Sequence, residues 1–158
     1  MYPFDFRERV YHPPDGPVNV MLSFGYSLLY NRISAMLVQQ GFNPRLGFFH
    51  VGRGAHAALA SDLIEPLRHL VERIVLSLIH KKEIRPEHFT TSESGHGGEC
   101  RLTDDGFRTL IHRYEKTMAG SFNHEGENVT YNAYLDSMAE MLKRVMQLDL
   151  PYQPLRIR

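Results

Sequence analysis

Three residues in the segment FFHVGRGAHAALASDLIEPLR, residues 48–68, carry side chains that could hold a divalent cation. His50 precedes a predicted helix, and Asp62 and Glu65 lie three residues apart within that helix, so both carboxylates share one face. An unpaired carboxylate set into an apolar helix is costly unless a counter-charge or a metal compensates it. The residue types therefore favour metal-assisted chemistry.

Two arginines bracket these candidate ligands: Arg53 follows His50, and Arg68 follows Glu65. Guanidinium groups bind phosphate through charge-assisted hydrogen bonds, so the segment indicates a metal-assisted reaction on a phosphodiester with both arginines contacting DNA. The spacing alone leaves a second interpretation open. An amphipathic helix with a solvated charged edge, preceded by a histidine that binds nothing, is the more common meaning of such a pattern.

Composition excludes several other classes of protein. The 158 residues carry 18 basic and 18 acidic side chains, so net charge does not indicate a nucleic-acid binder. Cys100 is the only cysteine, which rules out a disulfide framework and a paired-cysteine metal site. Gly52 and Gly54 are not followed by the lysine of a phosphate-binding loop. No apolar run has the length of a membrane span, and the charged start does not resemble a signal peptide, so we expect a cytoplasmic protein.

Apolar residues at helical spacing predict a mainly α fold, an irregular helical bundle. Residues 1–16 are predicted to form an extended lead-in, and Gly41 and Pro66 to end the first helix and interrupt the second. The predicted helices cover residues 18–40, 55–79, 103–119 and 129–148, with a small hairpin or an excursion within 80–102 and a turn before the last helix.

Several stretches occur together in an order that is characteristic of one family. They are DGPVNVMLSFGYSLLYNRISAMLVQQGFNPRLGFFHVGRG, ASDLIEPLRHLVERIVL, CRLTDDGFRTLIHRYEKTM and the terminal YQPLRIR. They resemble the CRISPR adaptation integrase, an endonuclease that is the first of the numbered CRISPR-associated (Cas) proteins. The resemblance extends from about residue 4 to the end of the chain.

The resemblance implies a catalytic domain that binds Mg or Mn and joins the 3′-hydroxyls of a new spacer to repeat DNA. In this family a glutamate, a histidine and a second acid hold the metal. His50 falls on the histidine, Glu65 on the second acid, and Asp62 on a neighbouring acid that supports the site. Arg53 and Arg68 match basic positions that approach double-stranded and branched DNA.

Family members also begin with a β-rich domain that forms a homodimer and docks on a small ferredoxin-like adaptation subunit. The first metal-binding glutamate lies on a helix upstream of the matching segment. We expect residues 1–158 to be the helical catalytic domain, beginning after both features, and Glu8 lies too near the lead-in to replace that glutamate. The chain is then a fragment, part of a fusion such as those with reverse transcriptase, or a reduced relative.

The resulting hypothesis is a metal-dependent DNA integrase and endonuclease that acts in spacer acquisition and antiviral defence. The alternative is a catalytically silent module of the same fold that binds DNA or a partner protein without the first glutamate. An unrelated helical protein with a solvated Asp/Glu/Arg face is the third class.

Overall fold

The computed structural model describes residues 4–10, 14–92 and 99–148, apart from the side chains of Ser92 and Glu99. Within those residues the helices are α1 Gly16–Gln39, α2 Ala58–Ile64, α3 Arg68–His80, α4 Asp104–Ala119 and α5 Tyr131–Leu148. The strands are β1 Phe89–Ser92, β2 Glu99–Leu102, β3 Ser121–His124 and β4 Glu127–Thr130. The predicted mainly α fold class is confirmed.

The boundaries of α1 follow from its sequence. Its buried positions include Leu29, Ile33 and Leu37, which recur at the spacing of one helical face. Gly41 adopts a left-handed conformation with φ +84°, and the N–H of Phe42 donates to the carbonyl of Leu37 at 2.9 Å. The predicted end of the first helix at this glycine is confirmed.

The predicted second helix is divided in two. Proline lacks the backbone N–H that a continuous helix requires, and at Pro66 the chain forms a single 3-10 turn, Glu65–Leu67, between α2 and α3. The predicted interruption is therefore confirmed, although the first half begins at Ala58 and not at residue 55. Glu65 is consequently the first residue of the 3-10 turn that follows α2.

The chain divides into two compact units. The first contains the described residues of 1–28 and 68–116, and the second contains those of 29–67 and 117–158. α1 contributes its first half to one unit and its second half to the other. No helix among the described residues is both long and apolar enough to cross a membrane.

In the first unit, antiparallel strands β1 and β2 pair with Phe89 opposite Leu102. Phe4 of the lead-in packs edge-on against Phe89 at 5.4 Å between ring centroids. Thr103 caps α4, because its Oγ1 accepts the N–H of Gly106 at 3.2 Å. Cys100 on β2 is buried, and burial, together with the charge of Asp15, raises the pKa of its thiol.

A buried asparagine fixes the lead-in of the same unit. Asn19 is 4% exposed, and its Nδ2 donates to the carbonyls of Glu8 and Asp15 at 3.1 and 2.8 Å. Its Oδ1 accepts the N–H of Val10 and a guanidinium N–H of Arg9, at 3.1 and 3.0 Å. Every polar group of the amide is therefore used to hold residues 8–10 against the start of α1.

In the second unit, the turn predicted before the last helix is instead a hairpin. β3 and β4 are antiparallel, with Phe122 opposite Val129, and α5 begins at Tyr131. The predicted last helix is present but begins at Tyr131 and not at residue 129, because Glu125 and Gly126, with φ +52° and +92°, form a tight turn that pairs the flanking residues. Phe122 stacks on Tyr131 at 4.4 Å, which attaches the hairpin to α5.

Some sequence features lie outside the described residues. These are part of the lead-in, the glycines of the β1–β2 connection (Gly95, Gly97 and Gly98) and the terminal motif YQPLRIR.

Candidate metal centre

The candidate site is organised around the carboxylate of Asp62, which is 4% exposed. Its Oδ2 accepts the backbone N–H groups of Phe48 and Phe49, the latter at 3.1 Å. Its Oδ1 accepts the N–H of His50 at 2.9 Å and lies 2.6 Å from the imidazole Nδ1 of the same residue. One side chain of α2 therefore fixes three consecutive residues of the connector that precedes this helix, residues 48–57.

Gly47 makes this approach possible. A Cβ added there would lie 2.8 Å from Oδ2 of Asp62, 2.6 Å from the carbonyl oxygen of His50 and 2.9 Å from Cβ of Ala58. Such distances are well inside van der Waals contact, so a side chain at this position would displace the connector from the carboxylate.

The protonation of the pair follows from these contacts. Burial by itself would raise the pKa of Asp62, but the hydrogen bonds from His50 and from the N–H groups of residues 48–50 outweigh it, and the net pKa is lowered. Asp62 is thus an anion that can only accept hydrogen bonds. Nδ1 of His50 must then carry the shared proton, and in the neutral ring Nε2 keeps a lone pair.

His50, Asp62 and Glu65 line one cleft of about 560 Å³ in the second unit. Its other walls are largely apolar: Phe48, Phe49, Leu63, Pro66, Leu142, Val145 and Met146. The structure therefore brings the two predicted ligands and the predicted supporting acid to one place.

The donor set is compatible with Mg or Mn. An imidazole nitrogen and a carboxylate oxygen suit these ions, and Mg²⁺ is commonly held by one or two carboxylates while it keeps waters and substrate oxygens. Among the described residues, no three His, Cys, Asp or Glu side chains come together to hold a metal. His50 and Glu65 would therefore supply only part of the coordination shell of such an ion.

Arg53 lies in the exposed part of the connector. The N–H of His56 donates to the carbonyl of Arg53 at 3.1 Å, which closes a turn, and Gly54 within that turn has φ +60°. Residues 51–56 are all exposed. The guanidinium is therefore carried by a turn that begins three residues after His50.

Arg68 belongs to the first unit, where it is half-buried at the start of α3. Its guanidinium carbon lies 5.1 Å from the ring centroid of Tyr26, and that of Arg9 lies 5.8 Å from the same ring. The hydroxyl of Tyr26 donates to Glu72 at 3.1 Å, and burial followed by this carboxylate raises the pKa of Tyr26. Cation–π contact holds Arg68 in a defined position.

Sequence reasoning missed a network beside the candidate centre. The Tyr30 hydroxyl accepts the N–H of Ala57 at 2.6 Å and lies 3.3 Å from Nδ1 of His56, whose Nε2 lies 3.1 Å from Oγ of Ser61. Tyr30 and His56 are 26 residues apart, and no local spacing connects them.

Comparison with known proteins identifies the family. The family model described as CRISPR associated protein Cas1 matches residues 2–116. The chain belongs to the Cas1 family. It is 34% identical over 154 residues to a CRISPR-associated exonuclease Cas4/endonuclease Cas1 fusion from Geobacter sulfurreducens, an alignment that covers 96% of this chain and 27% of that protein.

Other Cas1 proteins agree with this assignment. The chain is 32% identical to a CRISPR-associated endonuclease Cas1 from Chlorobaculum tepidum, over 96% of this chain and 44% of that one. In a solved Cas6-RT-Cas1–Cas2 complex, one chain superposes with a TM-score of 0.82 and 32% identity, over 98% of this chain and 16% of that one. The present chain therefore spans less than half of the length of these Cas1 relatives.

Proposed function

We propose that this chain is the catalytic part of a metal-dependent DNA endonuclease and integrase that inserts new spacers into a CRISPR array. The observation that carries the proposal is the His50–Asp62 pair, which leaves the lone pair of His50 Nε2 available to a metal in the cleft that Glu65 also lines. Membership of the Cas1 family supports the same reaction class.

In this proposal His50 and Glu65 hold Mg or Mn, and Asp62 orients the imidazole and keeps its proton on Nδ1. A bound divalent ion polarises a phosphate and lowers the pKa of an attacking water or hydroxyl. The buried Asp62 carboxylate also stabilises the ring against rotation, because ring and backbone of His50 reach the same oxygen.

Arg53 and Arg68 are proposed as contacts to the DNA backbone. Arg53 is carried by an exposed turn, and Arg68 has a guanidinium ordered by Tyr26. Arginine forms strong paired hydrogen bonds with phosphate, and such contacts hold DNA in register without reading its sequence.

The proposed partners belong to the longer protein of which such a domain is part. They are double-stranded and branched DNA, a second copy in a homodimer, and a small ferredoxin-like adaptation subunit in the cytoplasm. Similarity to a chain of a Cas6-RT-Cas1–Cas2 complex supports a Cas2-type partner and a reverse-transcriptase fusion.

Isothermal titration with Mn²⁺ tests the proposed ligands directly. We expect the parent chain to bind Mn²⁺, and both His50→Ala and Glu65→Ala to lose that binding, because each removes one of two protein donors. His112→Ala is the matched control, since His112 is an exposed histidine of the other unit. Unchanged binding in His50→Ala would overturn the ligand assignment, as would normal strand transfer by this variant in the full-length protein.

A second candidate function is a catalytically silent module that binds DNA or a partner. It is favoured by the lack of a third converging ligand among the described residues. Cleavage of branched DNA by this chain with Mn²⁺ excludes it. DNA affinity that falls steeply with salt, without cleavage, supports it, because phosphate contacts release counterions.

A further inference from the structure

We propose that Tyr30 is a positioning residue for the candidate metal centre: with His56 and Ser61, it anchors the second end of the connector that carries His50. The consequence for metal binding rests on the proposed function, whereas the network itself is a feature of the fold. All of the residues involved belong to the second unit.

The connector between Phe48 and Ala57 is anchored by side chains at both ends. Asp62 accepts the N–H groups of residues 48–50 at the first end. Tyr30 accepts the N–H of Ala57 at the second end, 2.6 Å away. Between these anchors residues 51–55 are exposed, so the side chains of Asp62 and Tyr30 hold the connector at its two ends.

Tyr30 also holds the residue at the start of α2. Ala57 occupies the N-cap position and makes no side-chain cap, and the N–H of Leu59 in the first turn donates instead to the carbonyl of Pro44 at 2.9 Å. The phenolic oxygen of Tyr30 accepts the N–H of Ala57 itself from a distant part of the chain. α2 carries Asp62, so this contact links α1 to the helix that organises the candidate centre.

In the proposed network His56 has a single tautomer. The N–H of Ala57 can only donate, so the oxygen of Tyr30 accepts it, and the phenolic proton is proposed to point to Nδ1 of His56, 3.3 Å away. Nε2 of His56 would then carry the ring proton and donate to Ser61. His50 has the opposite arrangement, with its proton on Nδ1, so of these two rings His50 would keep a nitrogen lone pair outside the network.

His56 is therefore a support and not a metal ligand. Its ring stacks on Tyr30, with centroids 5.6 Å apart and planes inclined by 13°, and both of its nitrogens face hydroxyl groups. It also closes the turn that begins at Arg53. The network thus links the position of Arg53, as well as that of His50, to α1 and α2.

The test compares Tyr30→Phe with Tyr26→Phe in the intact chain. Tyr30→Phe keeps the stacked ring and removes the hydroxyl, whereas Tyr26→Phe removes a hydroxyl bonded to Glu72 in the other unit. We expect Tyr30→Phe to weaken Mn²⁺ binding roughly tenfold, as removal of groups that support metal ligands commonly does, and Tyr26→Phe to leave the affinity unchanged.

Imidazole ¹⁵N spectra provide a readout that needs no metal. The parent is expected to show protonated Nε2 for His56 and protonated Nδ1 for His50, and Tyr30→Phe to lose the single tautomer of His56. His56→Phe is a second variant that keeps an aromatic ring and should weaken Mn²⁺ binding similarly. Parent-like affinity and spectra in Tyr30→Phe would overturn the inference, whereas absence of Mn²⁺ binding in the parent with the expected tautomers would overturn only the proposed function.

Discussion

His50 is joined twice to a single oxygen of Asp62. Its backbone N–H lies 2.9 Å from Oδ1, and its imidazole Nδ1 lies 2.6 Å from the same atom. The backbone and the ring of one residue are thereby fixed by an ionised group that is almost fully buried. The orientation of the imidazole is a property of the fold before any ion binds.

Replacement of Asp62 by Asn should weaken Mn²⁺ binding by about 10–100-fold in titration calorimetry. The NH₂ group of the new amide would have to face N–H donors of residues 48–50 whose hydrogen bonds the Asp62 carboxylate accepts. The ring of His50 would also lose its fixed tautomer. Asp136→Asn, on an exposed position of α5, serves as the control. An Asp62→Asn protein that binds Mn²⁺ as the parent does would contradict the role of Asp62 as a supporting acid.

The Asp62 carboxylate should also make the free energy of unfolding depend on pH in the acid range. Because its pKa in the folded protein is lowered from 3.8, ionised Asp62 stabilises the fold fully above that value, and the contribution disappears as pH falls through the lowered pKa. Urea unfolding over roughly pH 2 to 6 should show parent and Asp62→Asn stabilities converging toward the acid end. A constant difference in unfolding free energy between the parent and Asp62→Asn across this range would contradict the stabilising role of ionised Asp62.

Gly47→Ala should reduce both stability and Mn²⁺ affinity, because the new Cβ would meet Asp62 and the His50 carbonyl. Overpacking of this kind typically costs about 1–3 kcal/mol. Gly25→Ala is the matched control: its Cβ would lie 2.6 Å from Val71 in the other unit, so it should lower the unfolding free energy without changing Mn²⁺ affinity. Equal Mn²⁺ affinities for Gly47→Ala and the parent would show that metal binding does not depend on the close approach of Gly47 to Asp62.

Lys82→Gly should stabilise the protein by about 1 kcal/mol. Lys82 has φ +54° after α3, where its N–H donates to Ile79 and the N–H of Glu83 donates to Leu78. This is the arrangement in which glycine is favoured at the end of a helix. Lys81→Gly, which changes the neighbouring lysine, should destabilise instead, and thermal unfolding of the two variants side by side distinguishes them.

The sequence was sufficient for the helices because their signals are local. Apolar periodicity identified α1, and Gly41, Pro66 and Thr103 acted as boundaries through backbone conformation, a missing donor and a capping hydroxyl. The β3–β4 hairpin was missed because its turn begins with Glu125, whereas Asn or Asp is the usual residue where φ is positive. Tertiary pairing overrode a weak local signal.

The candidate centre likewise contains residues that the sequence identifies and residues that it does not. His50, Asp62 and Glu65 are recognisable from residue type, spacing and family resemblance, and their chemical roles remain predictions. Tyr30 and Asn19 act on segments to which no spacing rule connects them, since their partners are backbone groups brought near by the fold. Hydrogen bonds between a side chain and a sequence-distant main-chain group leave no pattern in the sequence.

Cys100 has a practical consequence. It is the only thiol in the chain, it lies in the core on β2, and its raised pKa disfavours the reactive thiolate. A thiol reagent should therefore modify the native protein only when that strand opens. The rate of Cys100 labelling then reports how often the β1–β2 hairpin opens. Local opening of the first unit can therefore be measured without an engineered probe.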